Sequence, residues 1–494
     1  MSDFDSFYTR RLKLRLDDCF SRPTAGVAGR TVTLLDRKSD DQHKSFQLTG
    51  TKTRALNISS YNYLGFAQAT GGCADAVEAG IRKYGISAGG ARLEAGTLDL
   101  HIQAEKLVSQ FIGSEDAMIV SMGFATNSTT IPALVDRGCL VISDEFNHSS
   151  IRFGVRLSGA SVRTFKHNDM KALDTLLRES ISQGQPRTHR PWKKILVIVE
   201  GLYSMEGTLL HLPELIVMKE RYKVCAITSL LCRVIIELIR RGALSSSTCT
   251  STRLTRSELS DPTGVVSVIT LASTRGVSTS LWALLPSRLE LQVCAGRSAP
   301  LRDSPLTARL DSSGGYIAGN KEVIDRIRVK SHSMAYAEAI TPPVLTQIIS
   351  SMASIMGVSP PLTAASSSPV HKPSLTLHPS SSDTDLPALQ MAHEPGPAVY
   401  GPAPSQYLPS WMHLPPALLN GTEGRERLRR LAFNSRYLSS GLRKLGFVVS
   451  GHRDSPIVPL FLFHPGKMPV FSRMMLERVG KDRTPVVVVV VAYP

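Results

Sequence analysis

Residues 194–200 read KILVIVE, and the segment EGLYSMEG at 200–207 continues directly from them. The run holds consecutive Ile, Leu and Val residues with no polar alternation, which is typical of a strand buried on both faces of a sheet. Helical patterns at Met170–Ile181 and Leu212–Tyr222 flank this strand on either side. A buried strand between two helices predicts a parallel sheet that is covered by helices on both faces.

The same alternation extends toward the N-terminus. It predicts strands at Asp116–Val120, Cys139–Ser143 and Ser161–Phe165, and helices at Asp99–Phe111, Thr126–Val135 and Ile151–Leu157. We therefore assign the chain to the α/β class, with a large and mainly parallel sheet. In such sheets ligands bind beyond the carboxyl ends of the strands, so the search for a site begins with the loops there.

The bulk composition limits the classes of function. Of 494 residues, 42% are hydrophobic and 20% are charged, as in globular proteins. The net charge of +16 fits an acidic membrane surface or an acidic substrate such as a CoA thioester, whereas no Lys/Arg run with interleaved aromatics supports nucleic-acid binding.

Seven cysteines without CxxC spacing argue against a disulfide framework or a zinc site, and we expect no metal. The first 20 residues are charged throughout, unlike a signal peptide, and the longest apolar run, Val486–Ala492, is too short to span a bilayer.

Two intervals interrupt the pattern. Residues 358–416 are rich in Pro, Ser and Ala, and we predict a disordered insertion because they hold too little apolar surface to order themselves. Residues 225–313 contain ten arginines and no lysine, and their apolar residues follow neither the helical nor the strand period. We expect this second block to fold poorly and to remove central strands from the sheet. A helical pattern resumes at Glu423–Leu445, followed by strands at Phe447–Ser450 and Ile457–Leu462.

Four polar segments follow strands and are candidates for building a site. They are SYNYLGF at 60–66, SMGFATN at 121–127, SDEFNHSS at 143–150 and EGLYSMEG at 200–207. Gly123, ahead of a helix that starts near Thr126, would let backbone N–H groups reach a phosphate, although an ordinary strand-to-helix turn has the same pattern. His148 could stack on a flat aromatic cofactor or be a polar surface or core residue. Ser204 could donate a hydrogen bond to a ring substituent, but taken alone this signal is weak.

The order and spacing of these segments, together with ARLEAGTLDLHIQAEKLV, GGYIAGNKEVID and SHSMAYAEAITPPV, resemble the α-oxoamine synthase family of pyridoxal 5′-phosphate (PLP) enzymes. Within that family the strongest resemblance is to the catalytic subunits of serine palmitoyltransferases. It implies PLP-dependent transferase fold type I, in which a large, mainly parallel sheet domain carries a small α+β C-terminal subdomain that here is truncated. The implied organisation is an N-terminal segment at 1–55, a PLP-binding large domain at 56–357, the insertion at 358–416 and the incomplete small domain at 417–494.

The resemblance also assigns roles to residues. Gly123 and Phe124 would lie at the cofactor phosphate, His148 would stack on the ring, and Glu200, Ser204 and Thr341 would support the cofactor. Asn62, Tyr63 and Tyr336 would lie near the substrate, with Tyr336 and Thr341 approaching from a subunit interface. His101 and Arg92 match the family pattern but receive no catalytic role.

The implied reaction is the decarboxylating condensation of L-serine with palmitoyl-CoA to 3-ketosphinganine, the first step of sphingolipid synthesis. The implied setting is a heterodimer with a non-catalytic subunit at the cytosolic face of the endoplasmic reticulum membrane, with no transmembrane segment in this chain. No role with nucleic acid is implied.

The resemblance breaks down where the family carries its Schiff-base lysine and the aspartate that pairs with the pyridine nitrogen. No lysine lies between Lys223 and Lys321. Read one base earlier, the codons of Thr250–Ala272 can encode an Asp-Glu-Ala-His motif, and those of Ala283–Gln292 a Thr-Lys-Ser motif whose lysine codon straddles Pro286 and Ser287. We interpret residues 225–313 as containing frame-shifted and intron-derived sequence, so that the chain as written is inactive. The alternatives are a non-catalytic scaffold subunit of the same heterodimer and a sister enzyme such as 5-aminolevulinate synthase.

Overall fold

The computed structural model describes residues 3–60, 62–222, 225–229, 268–273, 302–303, 314–359, 401–477 and 484–492. Its strands are β1 Thr24–Ala25, β2 Thr31–Lys38, β3 Gln47–Asn57, β4 Asp116–Val120, β5 Leu140–Asp144, β6 Ser161–Phe165, β7 Ile195–Glu200, β8 Cys225–Ser229, β9 Val268–Ser273, β10 Arg302–Asp303, β11 Gly315–Gly319, β12 Val358–Ser359, β13 Ala403–Pro404, β14 Ile457–Phe461, β15 Val486–Val487 and β16 Val489–Ala492. Its helices are α1 Asp3–Phe20, α2 Gly72–Tyr84, α3 Asp99–Ile112, α4 Gly123–Leu134, α5 Ser149–Ser158, α6 Met170–Gln183, α7 Leu212–Tyr222, α8 Lys321–Lys330, α9 His332–Ala335, α10 Pro342–Met356, α11 Pro416–Leu419, α12 Thr422–Lys444 and α13 Lys467–Leu476, with a 3₁₀ turn at Ser405–Tyr407.

Among the described residues, the large sheet has seven strands in the order β4-β11-β10-β8-β7-β5-β6. Strands β8, β7, β5 and β6 are parallel to their neighbours, and β11 is the antiparallel member between β4 and β10. The central strand β7 is buried from Leu196 to Glu200, as its unbroken apolar run predicts. The α/β class and the mainly parallel sheet with helices on both faces are confirmed.

Two helical layers cover this sheet. One core lies between the sheet and α2, α3 and α10, and includes Leu100, Leu107, Ile348 and Met352. A second cluster, which uses the alternate residues of β4 and β11, packs α4, α5 and α8 against the sheet, and a third cluster packs α6 and α7 against β5 and β7. The predicted amphipathic helices therefore bury the apolar positions that defined their period.

Part of the proline-rich interval is ordered, contrary to our prediction for 358–416. Residues 358–359 pair in parallel with Ala403–Pro404, and Met412 and Leu414 are buried in the core beside α2 and α10. The prolines are compatible with this packing because proline lacks only the backbone N–H, and the segment is held through its buried apolar side chains. Residues 360–400 lie outside the described residues, so the prediction of disorder remains untested there.

The block at 225–313 also contributes to the fold. Cys225–Ser229 extends the large sheet as β8, in register with Leu196–Glu200 of β7, and Val268–Ser273 forms the centre of a small sheet with β14 and β16. The expectation that this block removes the central strands is therefore wrong at β8. The shifted-frame positions Pro286 and Ser287 lie outside the described residues.

Candidate active site

The chain direction brings the ends of β4, β5 and β7 to one edge of the large sheet. Val120 ends β4 and pairs with Gly315 at the start of the antiparallel β11, while Asp144 and Glu200 end β5 and β7. The segments with Gly123, His148 and Ser204 leave the sheet at this edge. Three of the four predicted loops thus meet where an α/β sheet binds its ligands.

His148 is held in one orientation. It is the N-cap of α5, and its Nδ1 accepts the backbone N–H of Ser150 at 3.2 Å and lies 2.7 Å from the Ser150 hydroxyl. Asn127, fully buried in α4, donates to that hydroxyl at 2.7 Å. Because Nδ1 is an acceptor, a neutral His148 carries its proton on Nε2. The half-buried ring is therefore fixed in both tautomer and orientation.

The turn before His148 is anchored to β7. The amide nitrogen of Asn147, a buried side chain, donates to the Ile198 carbonyl at 2.7 Å and to the Ser143 hydroxyl at 2.8 Å. The carboxylate of Glu200 accepts the backbone N–H of His148. Glu200, which the family resemblance places beside the cofactor, thus acts on the loop that presents the histidine.

A second polar layer lies beneath these residues, and the sequence analysis missed it. His167, just after β6, places Nδ1 3.1 Å from the Asp144 carboxylate and Nε2 2.9 Å from the Thr208 hydroxyl. The Tyr203 ring meets His167 edge-on at 4.2 Å, and its hydroxyl accepts the Glu200 backbone N–H at 3.1 Å. Burial, reinforced by Asp144, raises the pKa of the Tyr203 hydroxyl well above its usual value, so that it remains a protonated donor.

This layer fixes the loop that carries Ser204. Asn168 donates to the Leu209 carbonyl at 2.8 Å, and its own side-chain oxygen accepts the His211 backbone N–H at 3.2 Å. Asp169 caps α6 through the Ala172 N–H at 2.9 Å. The triplet His-Asn-Asp at 167–169, placed directly after a predicted strand, was the sequence signal for this layer.

The turn that was predicted to bind the cofactor phosphate differs from the prediction in one respect. Helix α4 begins at Gly123 rather than near Thr126, so Gly123 and Phe124 lie in its first turn. That turn has no acidic residue and no side-chain cap, and its free N–H groups and positive dipole end therefore suit an anion. Gly315 must be glycine, since a Cβ there would come within 2.3 Å of the Thr126 hydroxyl.

Asn62 and Tyr63 are tied into the scaffold. The amide of Asn62 donates to the carbonyls of Ala28 at 2.9 Å and Ala67 at 3.4 Å, and Tyr63 is buried in the core against α2 and α3. Arg427 of α12 clamps the same loop by donating to the Leu64 and Gly65 carbonyls at 2.8 and 2.7 Å. Their proximity to substrate stays a prediction.

The remaining predicted residues occupy different environments. Ser204 is half-buried in the turn after β7, and Thr341 is half-buried as the N-cap of α10. Tyr336 is 83% exposed, so within one chain its side chain faces outward. This exposure is compatible with the predicted approach from a subunit interface, which a single chain does not test.

The described residues fit the flat ring and the phosphate of PLP. The fixed imidazole of His148 offers a stacking surface, and Asn127 and Ser150 link it to α4, whose uncapped N-terminus suits the phosphate. The sequence has no lysine between positions 223 and 321, and most of that interval lies outside the described residues. Within the described ranges, no cluster of three His, Cys, Asp or Glu side chains could hold a metal.

The chain is similar to known proteins in both sequence and fold. Residues 53–228 match the family model for aminotransferases of class I and II. The match ends four residues into the block that begins at residue 225. Two solved structures share the fold with a TM-score of 0.56. One is Sphingomonas wittichii serine palmitoyltransferase, at 16% identity over 98% of this chain and 90% of that chain. The other is a variant of S. paucimobilis serine palmitoyltransferase with bound PLP and myriocin, at 18% identity over 96% of this chain and 88% of that chain.

The curated relatives are more similar in sequence. Serine palmitoyltransferase 2 of Saccharomyces cerevisiae is 41% identical over all of this chain and 68% of its own length. The Schizosaccharomyces pombe protein of the same name is 40% identical over 99% of this chain and 63% of its own length, and human serine palmitoyltransferase 3 is 36% identical over 100% and 69%. The chain therefore belongs to the serine palmitoyltransferase family, whose cofactor is PLP.

Proposed function

We propose that the gene for this chain encodes the catalytic type of serine palmitoyltransferase subunit, which condenses L-serine with palmitoyl-CoA to give 3-ketosphinganine, CO2 and free CoA. The observation that carries the proposal is the linked Asn127–Ser150–His148 network, because it holds an aromatic stacking surface beside an open helix N-terminus. The 41% identity to yeast serine palmitoyltransferase 2 supports this reaction.

The residues of this chain would hold and orient the reactants. PLP, when bound, supplies an electron sink for the carbanion that serine must become. His148 would pack on the ring face, the first turn of α4 would bind the phosphate, and Ser204 would donate to a ring substituent. Glu200 would act indirectly, since its carboxylate holds the backbone of His148.

We further propose that the chain as written is inactive on its own. A lysine holds PLP covalently and exchanges with serine in the family reaction, and the interval where that lysine is expected contains none. The same observation favours a second candidate function, a non-catalytic scaffold in a heterodimer with a complete subunit.

In both cases we place the protein at the cytosolic face of the endoplasmic reticulum membrane, where the acyl-CoA is available. None of the helices in the described ranges combines the length and apolar character of a bilayer-spanning segment.

A binding experiment tests the site. PLP is titrated into the purified chain and detected by its visible absorption and by calorimetry, before and after borohydride reduction. We expect reversible binding with no covalent labelling at the site, and binding weakened in a His148→Ala variant. The matched control is His211→Ala, which removes an exposed imidazole from the start of α7. Stable labelling that depends on His148, or equal affinity in all three proteins, would contradict the proposal.

Sequencing the transcript across codons 224–314 then separates the two candidate functions. A shorter message that encodes Asp-Glu-Ala-His and Thr-Lys-Ser would identify an active catalytic subunit. A message that matches the chain as written would favour the scaffold. Assays with serine and with glycine would then distinguish the complete enzyme from a 5-aminolevulinate synthase.

A further inference from the structure

A buried ion network lies away from the residues that would touch the cofactor. Glu105 of α3 is 5% exposed, and its Oε1 accepts Arg92 Nη1 at 2.9 Å and the Ile119 backbone N–H at 2.9 Å. Its Oε2 accepts Arg328 Nη2 at 3.3 Å. One carboxylate thus joins a loop, a helix, a strand and a second helix, and none of these contacts is used by the proposed reaction.

The two arginines lie in or next to two neighbouring segments of the chain. Arg92 lies in the loop at 86–98, where its Nε donates to the Thr97 hydroxyl at 3.1 Å and that hydroxyl donates back to the Arg92 carbonyl at 2.7 Å. Arg328 lies near the end of α8, where it also binds Asp116 at 2.6 Å and the Ala117 carbonyl at 2.6 Å. The segment at 331–341, with Tyr336 and Thr341, follows α8 directly.

The two segments are joined edge to edge. The Leu93 N–H donates to the Met334 carbonyl at 3.1 Å, and the Ala339 N–H donates to the Gly90 carbonyl at 2.9 Å. Ala91 and Glu338 form a bridge between these two bonds. The loop at 86–98 closes tightly on itself, since a Cβ on Gly96 would lie 2.1 Å from the Gly90 carbonyl oxygen. The position of one segment therefore fixes the other.

We propose that Glu105 is a positioning residue that sets the place of Tyr336 and Thr341 by holding Arg92 and Arg328 at once. Removal of this buried carboxylate is costly because the buried Arg92 side chain would lose its ionic partner, and Arg328 would keep Asp116 but lose its link to Arg92. The position of the paired segments is thereby fixed by a group that touches neither cofactor nor substrate. The link from Thr341 to PLP rests on the proposed function, whereas the link from Glu105 to the two segments does not.

Hydrogen exchange measured by mass spectrometry on the full chain tests the proposal. In Glu105→Gln we expect exchange in peptides covering 86–98 and 331–341 to accelerate by about tenfold or more, with less than about twofold change at 149–165. The matched control is Glu78→Gln, which removes the carboxylate of an exposed pair with Arg82 on α2 and should leave both segments unchanged. Uniform acceleration across the chain, or none in the two segments, would overturn the proposal.

A milder variant and a ligand measurement complete the test. Arg92→Lys keeps the charge but loses the planar donor geometry, and it should accelerate the same two segments if Glu105→Gln does not fold. Calorimetric titration with PLP should give weaker binding in both variants than in Glu78→Gln. If the unaltered chain binds no PLP, the proposed function fails, while the exchange result still decides the role of Glu105. Unchanged exchange in a folded Arg92→Lys variant would refute that role.

Discussion

Acidification should destabilise the protein through His101, a fully buried imidazole at the start of α3. Its Nδ1 accepts the Leu98 backbone N–H at 3.0 Å, so the neutral ring caps the helix and carries its proton on Nε2. Burial and the nearby positive charge of Arg92 lower the pKa of His101 to about 3, while contact with the backbone of Ile340 opposes the shift. In the unfolded chain the pKa of a histidine is about 6.5.

The sign of the effect follows from these two values. Between pH 6.5 and about 3 the unfolded chain binds a proton at His101 that the folded chain does not, so stability present at neutral pH is lost as the pH falls. The loss amounts to roughly 1.4 kcal/mol for each pH unit below 6.5, or about 2 kcal/mol at pH 5.

Urea unfolding at pH 7 and pH 5 measures this loss. In His101→Gln the side-chain oxygen can still accept the Leu98 N–H but cannot titrate, so the variant should lose about 2 kcal/mol less than the unaltered chain between the two pH values. The matched control His189→Gln replaces an exposed histidine and should follow the unaltered chain. Equal pH dependence in all three proteins would refute the assignment of a low pKa to His101.

Three further substitutions test the scaffold of the site by urea unfolding at neutral pH. Asp144→Asn replaces the buried carboxylate that lies 3.1 Å from His167 Nδ1 and accepts the Phe146 backbone N–H at 2.9 Å, and should cost about 2 kcal/mol; an unchanged free energy of unfolding would contradict a stabilising role for these hydrogen bonds. Asn147→Ala loses two buried hydrogen bonds and should cost about 2 kcal/mol; no loss would mean that water replaces the amide. Leu414→Ala should cost about 2–5 kcal/mol if the 401–416 segment is packed as described, compared with less than about 0.5 kcal/mol for Leu445→Ala, which is 75% exposed.

The elements that the sequence predicts correctly are those set by the spacing of apolar residues along the chain. The strands at Asp116–Val120 and Ser161–Phe165 and the helix at Leu212–Tyr222 have the bounds that the sequence predicts. The strand expected at Phe447–Ser450 is reduced to a single bridge from Val449 to Leu460. Phe447 and Val448 remain exposed, so apolar residues in a short run do not form a strand without a partner edge.

The start of α4 shows why the details of the site were harder to predict. Neither Gly123 nor Phe124 is a strong helix former, and the N-cap position holds Met122 rather than a Ser, Thr or Asp, so local propensity placed the start three residues too late. A tertiary contact instead determines where the helix begins, because Gly315 of β11 packs directly over this turn. The absence of a cap fits the proposed use of the turn, since a side-chain cap would occupy donors that a phosphate needs.

The residue pairings within the buried polar layers could not be predicted from the sequence, for a different reason. Asp144 and His167 are separated by a helix and a strand, and Glu105 and Arg328 by more than two hundred residues, so no local pattern relates them. From the sequence alone, a single titratable residue could be exposed or buried, and only the fold shows which titratable residues are buried next to one another. Loss of water is what gives these groups their influence, because an unpaired charge inside the protein costs far more than one at its surface. Residues that touch no ligand can therefore control where the ligand-binding loops lie.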